Sequence, residues 1–124
     1  AVFDALAVRQ EGLDCRAWLA AALAERAAAT SGGWDRTVAI THFAPSLKSA
    51  DPRYGPLPST ASFCNADDDL LPLADVWLHG HLHCRFDYRV AHRNGRSTRV
   101  VSQARGLAAK GECEGFDAGR LIEA

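Results

Sequence analysis

Three of the five histidines of this 124-residue chain fall at alternate positions in the stretch Val76-Trp77-Leu78-His79-Gly80-His81-Leu82-His83-Cys84. Neutral imidazole is the commonest metal ligand among side chains, so the chemistry this spacing suggests is metal binding. In an extended segment residues i and i+2 share a face, which sets His79 and His83 roughly 13 Å apart and His81 and His83 about 6.6 Å apart. One zinc ion, with Zn–N bonds of ~2 Å, cannot use the first pair. The second separation is wide for one ion and suits two ions ~3.5–4 Å apart, one histidine each. Gly80 gives the backbone freedom to turn tightly just before His81. The plainer alternative is a half-buried strand whose histidines hydrogen-bond locally. The Gly-His-x-His pattern favours metal once a further histidine, His42, is seen to end a second strand.

The other candidates carry less. His79 precedes Gly80 and reads as a structural support, and His92 reads as exposed and inert in its turn. Cys84 is a conceivable soft ligand for zinc, but in an extended chain it points away from His83. Arg53 and Tyr54 lie in a loop that could face a substrate. The Asp67-Asp68-Asp69 run reads as the solvated face or start of a helix rather than a source of ligands.

The elements that must position these residues follow from pattern. Residues 1–10 are mildly apolar and read as a strand or its remnant. Asp14 reads as a helix N-cap, with Cys15, Trp18, Leu19, Ala22 and Leu23 at helical spacing up to about Thr30. Ser31-Gly32-Gly33 reads as the stop. Thr37–Thr41 is a β-branched run, so a buried strand that ends at His42. Residues 43–58 hold four of the five prolines and form a long loop. Residues 59–71 suggest a second helix, and Val76–Leu78 a second buried strand. Phe86–Val90 and Thr98–Val101 flank Asn94-Gly95 and predict a hairpin. A Gly-containing loop at 104–115 and a short final strand at Leu121-Ile122 complete the expectation. The fold class is α/β, a mixed β-sheet with flanking helices, and strand-terminal histidines lie where open α/β sheets bind ligands.

Composition bounds the rest. The length allows one domain, 1–124. A net charge of −1 gives no bulk attraction to nucleic acid or an anionic membrane. No apolar run approaches a membrane span, and no signal-peptide pattern opens the chain. The scattered Cys15, Cys64, Cys84 and Cys113 form no C-x-x-C pair and fit reduced thiols in a cytoplasmic protein. With no methionine and Ala1 first, the sequence reads as processed or as a piece of something longer.

Val38-Ala39-Ile40-Thr41-His42 with Pro45 resembles the fourth metal motif of the calcineurin-like metallophosphoesterases. Trp77-Leu78-His79-Gly80-His81-Leu82-His83 resembles their fifth. Asp87–Val90, Thr98–Val101 and Arg105-Gly106 resemble the hairpin and following loop of one bacterial branch, and Trp18-Leu19 the helix before the fourth motif. The resemblance covers the chain from about Asp14 onward. It implies the C-terminal half of a four-layer α/β sandwich, and hydrolysis of phosphate monoesters or diesters as a phosphatase or phosphodiesterase. It implies two divalent transition-metal ions (manganese, iron, zinc or nickel), with His42 and His81 on one ion and His83 on the other. The family's Asp-x-His, Gly-Asp and Gly-Asn-His motifs do not occur here. Leu82, Phe43 and Ser102-Gln103-Ala104 also depart from the pattern. An incomplete site is therefore expected, its acidic ligands supplied by a missing N-terminal half or a homo-oligomer partner. Two other readings remain: a non-catalytic phosphoesterase-like domain that binds a partner or a single zinc, and an unrelated zinc hydrolase using His42, His81 and His83 on one ion.

Overall fold

A computed structural model of the chain describes residues 4–29 and 35–123. The chain divides into two compact units, Ala1–Gly33 and Trp34–Ala124.

The first unit is a helix, α1, Ala5–Ala28. It begins nine residues before the expected cap, and residues 5–10, expected as a strand or its remnant, are helical. Asp4 is the N-cap, its side chain accepting from the amides of Leu6 and Ala7 at 3.0 and 3.3 Å. Ala, Leu, Arg, Gln and Glu between Ala5 and Glu11 are strong helix formers, so the helix extends back to that cap. Asp14 lies inside it and accepts from Gln10 Nε2 one turn earlier. The expected Ser31-Gly32-Gly33 stop lies outside the described residues.

The second unit is built on four strands: β1 (Val38–Thr41), β2 (Val76–His79), β3 (Phe86–Ala91) and β4 (Ser97–Ser102). Their order is β1-β2-β4-β3, with β1, β2 and β4 parallel and β3 antiparallel to β4. This is the mixed sheet expected of the α/β class. The central strands β2 and β4 supply much of the core: Val76, Trp77, Val100 and Val101 are all at most 3 % exposed. Trp77 donates its indole N–H to Thr41 Oγ1 at 2.9 Å, so even its polar atom is satisfied.

Two expected elements do not form. Residues 59–71 make only short 3₁₀ turns, Pro58–Ser62 and then Leu71–Leu73. Pro58 and Pro72 start turns but cannot continue a helical ladder; Asp67 N donates instead to Pro45 O, and Leu70, Leu73 and Ala74 N each donate three residues back. Leu121-Ile122 forms no strand. The hairpin does form, but over a five-residue connection: Gly95, at φ 78°, donates to His92 O, and His92 N donates to Arg96 O. His92 is half-buried, its Nε2 2.8 Å from Thr98 Oγ1, so it is tied into the hairpin rather than idle.

Asp87 on β3 joins the hairpin to the C-terminal segment. It accepts two hydrogen bonds from Arg99 on β4, at 2.9 and 2.8 Å, and one from Arg120. The bonds from Arg99, reinforced by Arg120 and opposed by partial burial, hold its carboxyl below the ordinary value of 3.8. Stability from this cluster is therefore fully present above the unfolded-state value and is lost as pH falls through the folded-state one. Asp87→Asn should lower the urea midpoint by a constant amount at neutral pH, and the gap from the native chain should close below about pH 4. A gap of the same size at pH 7 and pH 3 would show that the cluster's charge does not contribute.

Candidate metal centre

The parallel pairing of β1 and β2 sets the site. Thr41 is in register with His79, and the ladder continues one step further, Gly80 N donating to His42 O at 3.1 Å. Both strands then end, and their C-terminal ends carry His42 and the Gly80–His83 segment.

That segment is a turn, so the strand spacing expected for His79, His81 and His83 does not apply. Leu82 N donates to Gly80 O at 2.7 Å, an i→i+2 bond around His81. His81 has φ 61° and is the one non-glycine residue at positive φ among those described. This is a γ-turn of the rare positive-φ kind, with the strain on His81 and not on Gly80. Backbone strain of this kind persists only where the surroundings over-determine it. Here Leu82 is buried against Ala44 and Cys64. The His81 ring is stacked on Phe63 at 5.0 Å and tilted against Phe43 at 4.7 Å.

The turn brings His81 Nδ1 to 3.0 Å from His42 Nε2. Two imidazole nitrogens that close, on separate strands, have the separation of two ligands on one ion with bonds of about 2.0–2.1 Å. The pair fits half of such an ion's coordination. Among the described residues no group of three or more His, Cys, Asp or Glu side chains could hold a metal. A three-histidine zinc site therefore finds no support in the geometry. The donor set likewise does not fit a second ion: no carboxylate bridges, and His83 is engaged elsewhere.

His83 faces Glu112, a residue without any local sequence signal. Its Nδ1 lies 2.9 Å from Glu112 Oε2. The Glu112 side chain is 4 % exposed and also accepts from Leu107 N at 2.9 Å and Arg53 Nη1 at 3.2 Å. The Leu107 amide, with His83 and Arg53, holds its carboxyl below the ordinary range against the opposing effect of desolvation. An ionised Glu112 only accepts, so Nδ1 of His83 carries a proton and Nε2 is the nitrogen left to face outward as donor or ligand. The loop bearing Glu112 is stapled by Arg85, which donates to the carbonyls of Ala104, Glu112 and Glu114. Gly106, at φ 74°, allows the loop to close: a Cβ there would lie 2.4 Å from Glu112 Cβ.

His79 is buried, as its supporting role requires. Its Nδ1 donates to Gly80 O at 3.2 Å, so Nε2 must accept from Ser49 Oγ at 3.0 Å. Ser49 in turn accepts from Tyr88 O–H at 2.8 Å. Burial pushes the His79 ring below its ordinary value, which keeps it neutral in this chain of bonds. Cys84 is a poor ligand, since burial, with Asp51 nearby, pushes its thiol up to about 11. Asp68 is occupied by Ser46 Oγ at 2.9 Å and Lys48 at 3.9 Å. Arg53 is chelated by Asp51, Nη2 to Oδ2 at 2.6 Å, as well as reaching Glu112.

The Glu112 contact fixes a tautomer, which nitrogen-15 NMR of the imidazoles reads directly. His83 should be Nδ1-protonated in the native chain, and should revert to the Nε2-protonated form common in free histidine in Glu112→Ala. Gly106→Ala should produce the same reversion by displacing Glu112. An Nε2-protonated His83 in the native chain would refute the assignment. Comparison with known proteins finds no family model, no curated protein and no solved structure that matches this chain.

Proposed function

We propose that the chain carries part of the site of a metal-dependent phosphoester hydrolase of the calcineurin-like type, with His42 and His81 as ligands of one ion. The observation that carries this reading is the 3.0 Å approach of two imidazole nitrogens at the C-terminal ends of adjacent parallel strands. The motif resemblance of His42 and of Gly80-His81-Leu82-His83 points the same way. The four-stranded mixed sheet is compatible with one sheet of the four-layer sandwich that the resemblance implies.

A divalent ion at this pair would supply Lewis-acid polarisation of a phosphoryl oxygen and acidify bound water. The residues of the chain do the rest. His42 and His81 fix the ion's place through the β1–β2 register. Phe43 and Phe63 hold the His81 ring by contact on it. Glu112 keeps the proton of His83 on Nδ1 and leaves Nε2 free to accept a proton or a ligand. His79, Ser49 and Tyr88 close the space beneath the turn.

A second reading has its own support. Two histidines converge on one position while His83 is held by Glu112, which favours a single ion over two and so a non-catalytic domain that binds one zinc. Metal content after gel filtration, followed by turnover of an activated phosphodiester, separates the two. We expect about one transition-metal ion per chain, weakened at least ~100-fold in His42→Ala and in His81→Ala, since even outer partners of metal ligands carry ~10–100-fold. His83→Ala should keep that ion and lose whatever slow hydrolysis the native chain shows. Metal retained in both His42→Ala and His81→Ala would refute the site. Metal bound with no turnover would leave the single-zinc reading.

A further inference from the structure

A cavity of about 330 Å³ opens beside the histidines, within the second unit. Its polar lining includes His81, His83 and the exposed Lys110, with Arg53 and the carboxylates of Asp51 and Glu112 that it bonds. Its apolar lining includes Tyr54, Leu57 and Phe63, which are 62, 55 and 38 % exposed. Large apolar side chains left that open around one concavity are unusual unless something fills it. The wall is held in place from behind. Arg53, fixed by Asp51 and Glu112, sits over the Tyr54 ring at 5.4 Å. Phe63 is stacked on the His81 ring itself.

We propose that this cavity is the subsite for the alcohol part of the phosphoester, and that it takes a single planar ring system, an aryl or heteroaryl group. The proposal rests on the phosphoester reading of the same site. The volume lies at the low end of ligand pockets, ~300–1,000 Å³, enough for one ring system. Tyr54 and Phe63 offer aromatic faces and edges that a planar ring matches. Lys110 and the histidines in the same lining meet the anionic phosphate. A ring seated here places its phosphate beside His81 and His83, because Phe63 contacts both the cavity and His81.

The test is binding of two phosphonates, whose C–P bonds the chain would not hydrolyse, in the presence of zinc, which is diamagnetic. Benzylphosphonate mimics phenyl phosphate, and methylphosphonate carries the same headgroup without the ring. By isothermal titration benzylphosphonate should bind about tenfold more tightly, the gain expected from partial burial of a ring. In the double variant Tyr54→Ala/Leu57→Gln the preference should fall to near unity, while Lys110→Ala should weaken both ligands alike. Nuclear Overhauser contacts between the benzyl protons and the Leu57 methyls in the native chain check the location without a variant. Equal affinity for the two phosphonates, binding of neither, or a preference that survives the double variant would overturn the proposal. Ring-selective binding by a chain that hydrolyses no phosphoester would support the cavity and refute the hydrolase reading. Hydrolysis without ring preference would do the reverse.

Discussion

The candidate site depends on one strained turn. Where β2 ends, the chain could continue extended and carry His81 away from His42. Instead Gly80 N is caught by His42 O, Leu82 N turns back to Gly80 O, and His81 is left at φ 61°. A left-handed non-glycine residue costs about 1–2 kcal/mol. The offset is visible on both sides of the turn. Leu82 is buried in a cluster with Ala44 and Cys64, and burying a leucine contributes roughly 1.5–3 kcal/mol. The His81 ring adds contacts with two phenylalanines. Gly80 could have taken the positive φ with less strain. Placing it at His81 aims a ring, and this fold spends stability on that aim.

A second constraint is electrostatic and comes from far along the chain. Residues 104–115 have no regular structure beyond a short 3₁₀ turn, Ala108–Lys110. Such a loop holds a carboxylate in place only if something else orders it. Three carbonyls of the 104–114 segment accept from one arginine, Arg85, which follows Cys84 directly after the histidine turn. Arg53 adds a pair to Glu112 from the opposite side. The same stretch of chain, residues 81–85, therefore both presents the histidines and anchors the loop that orients one of them.

Parts of this were legible in the sequence for clear reasons. β2 and the hairpin show as β-branched and apolar runs, because buried parallel and paired strands require those side chains. β1 shows by the same kind of run but is not the buried strand expected: at the sheet edge it buries Ala39 and leaves Val38 and Ile40 42 and 73 % exposed. His42 and His81 were marked by their place at strand ends. The start of α1 was missed because Asp14 and Asp4 carry the same capping chemistry, and the better helix formers before Asp14 decide between them. Residues 59–71 suggest a second helix with Ser59 or Thr60 near its cap, but the prolines bounding that stretch and short turn bonds prevail. Glu112 was not legible at all. Its contact with His83 spans 29 residues, and nothing in Gly111-Glu112-Cys113 distinguishes it from any surface glutamate. The strand-spacing argument for His81 and His83 failed because a two-residue period holds only while the chain stays extended.

Charge explains why metal and phosphate would depend on one another at such a site. His42 and His81 as ligands are neutral, so they leave a divalent ion's charge uncompensated. The nearby carboxylates are already engaged: Asp51 and Glu112 both bond Arg53. Pulling either toward an ion would strand a guanidinium that is now chelated. An anionic phosphoester is the ligand that completes the balance without rearranging the protein. Each partner would then raise the affinity for the other by the same factor, as linkage requires. On this argument, the ion is held more tightly in the presence of phosphate than by the protein alone, and the difference follows from the donor set.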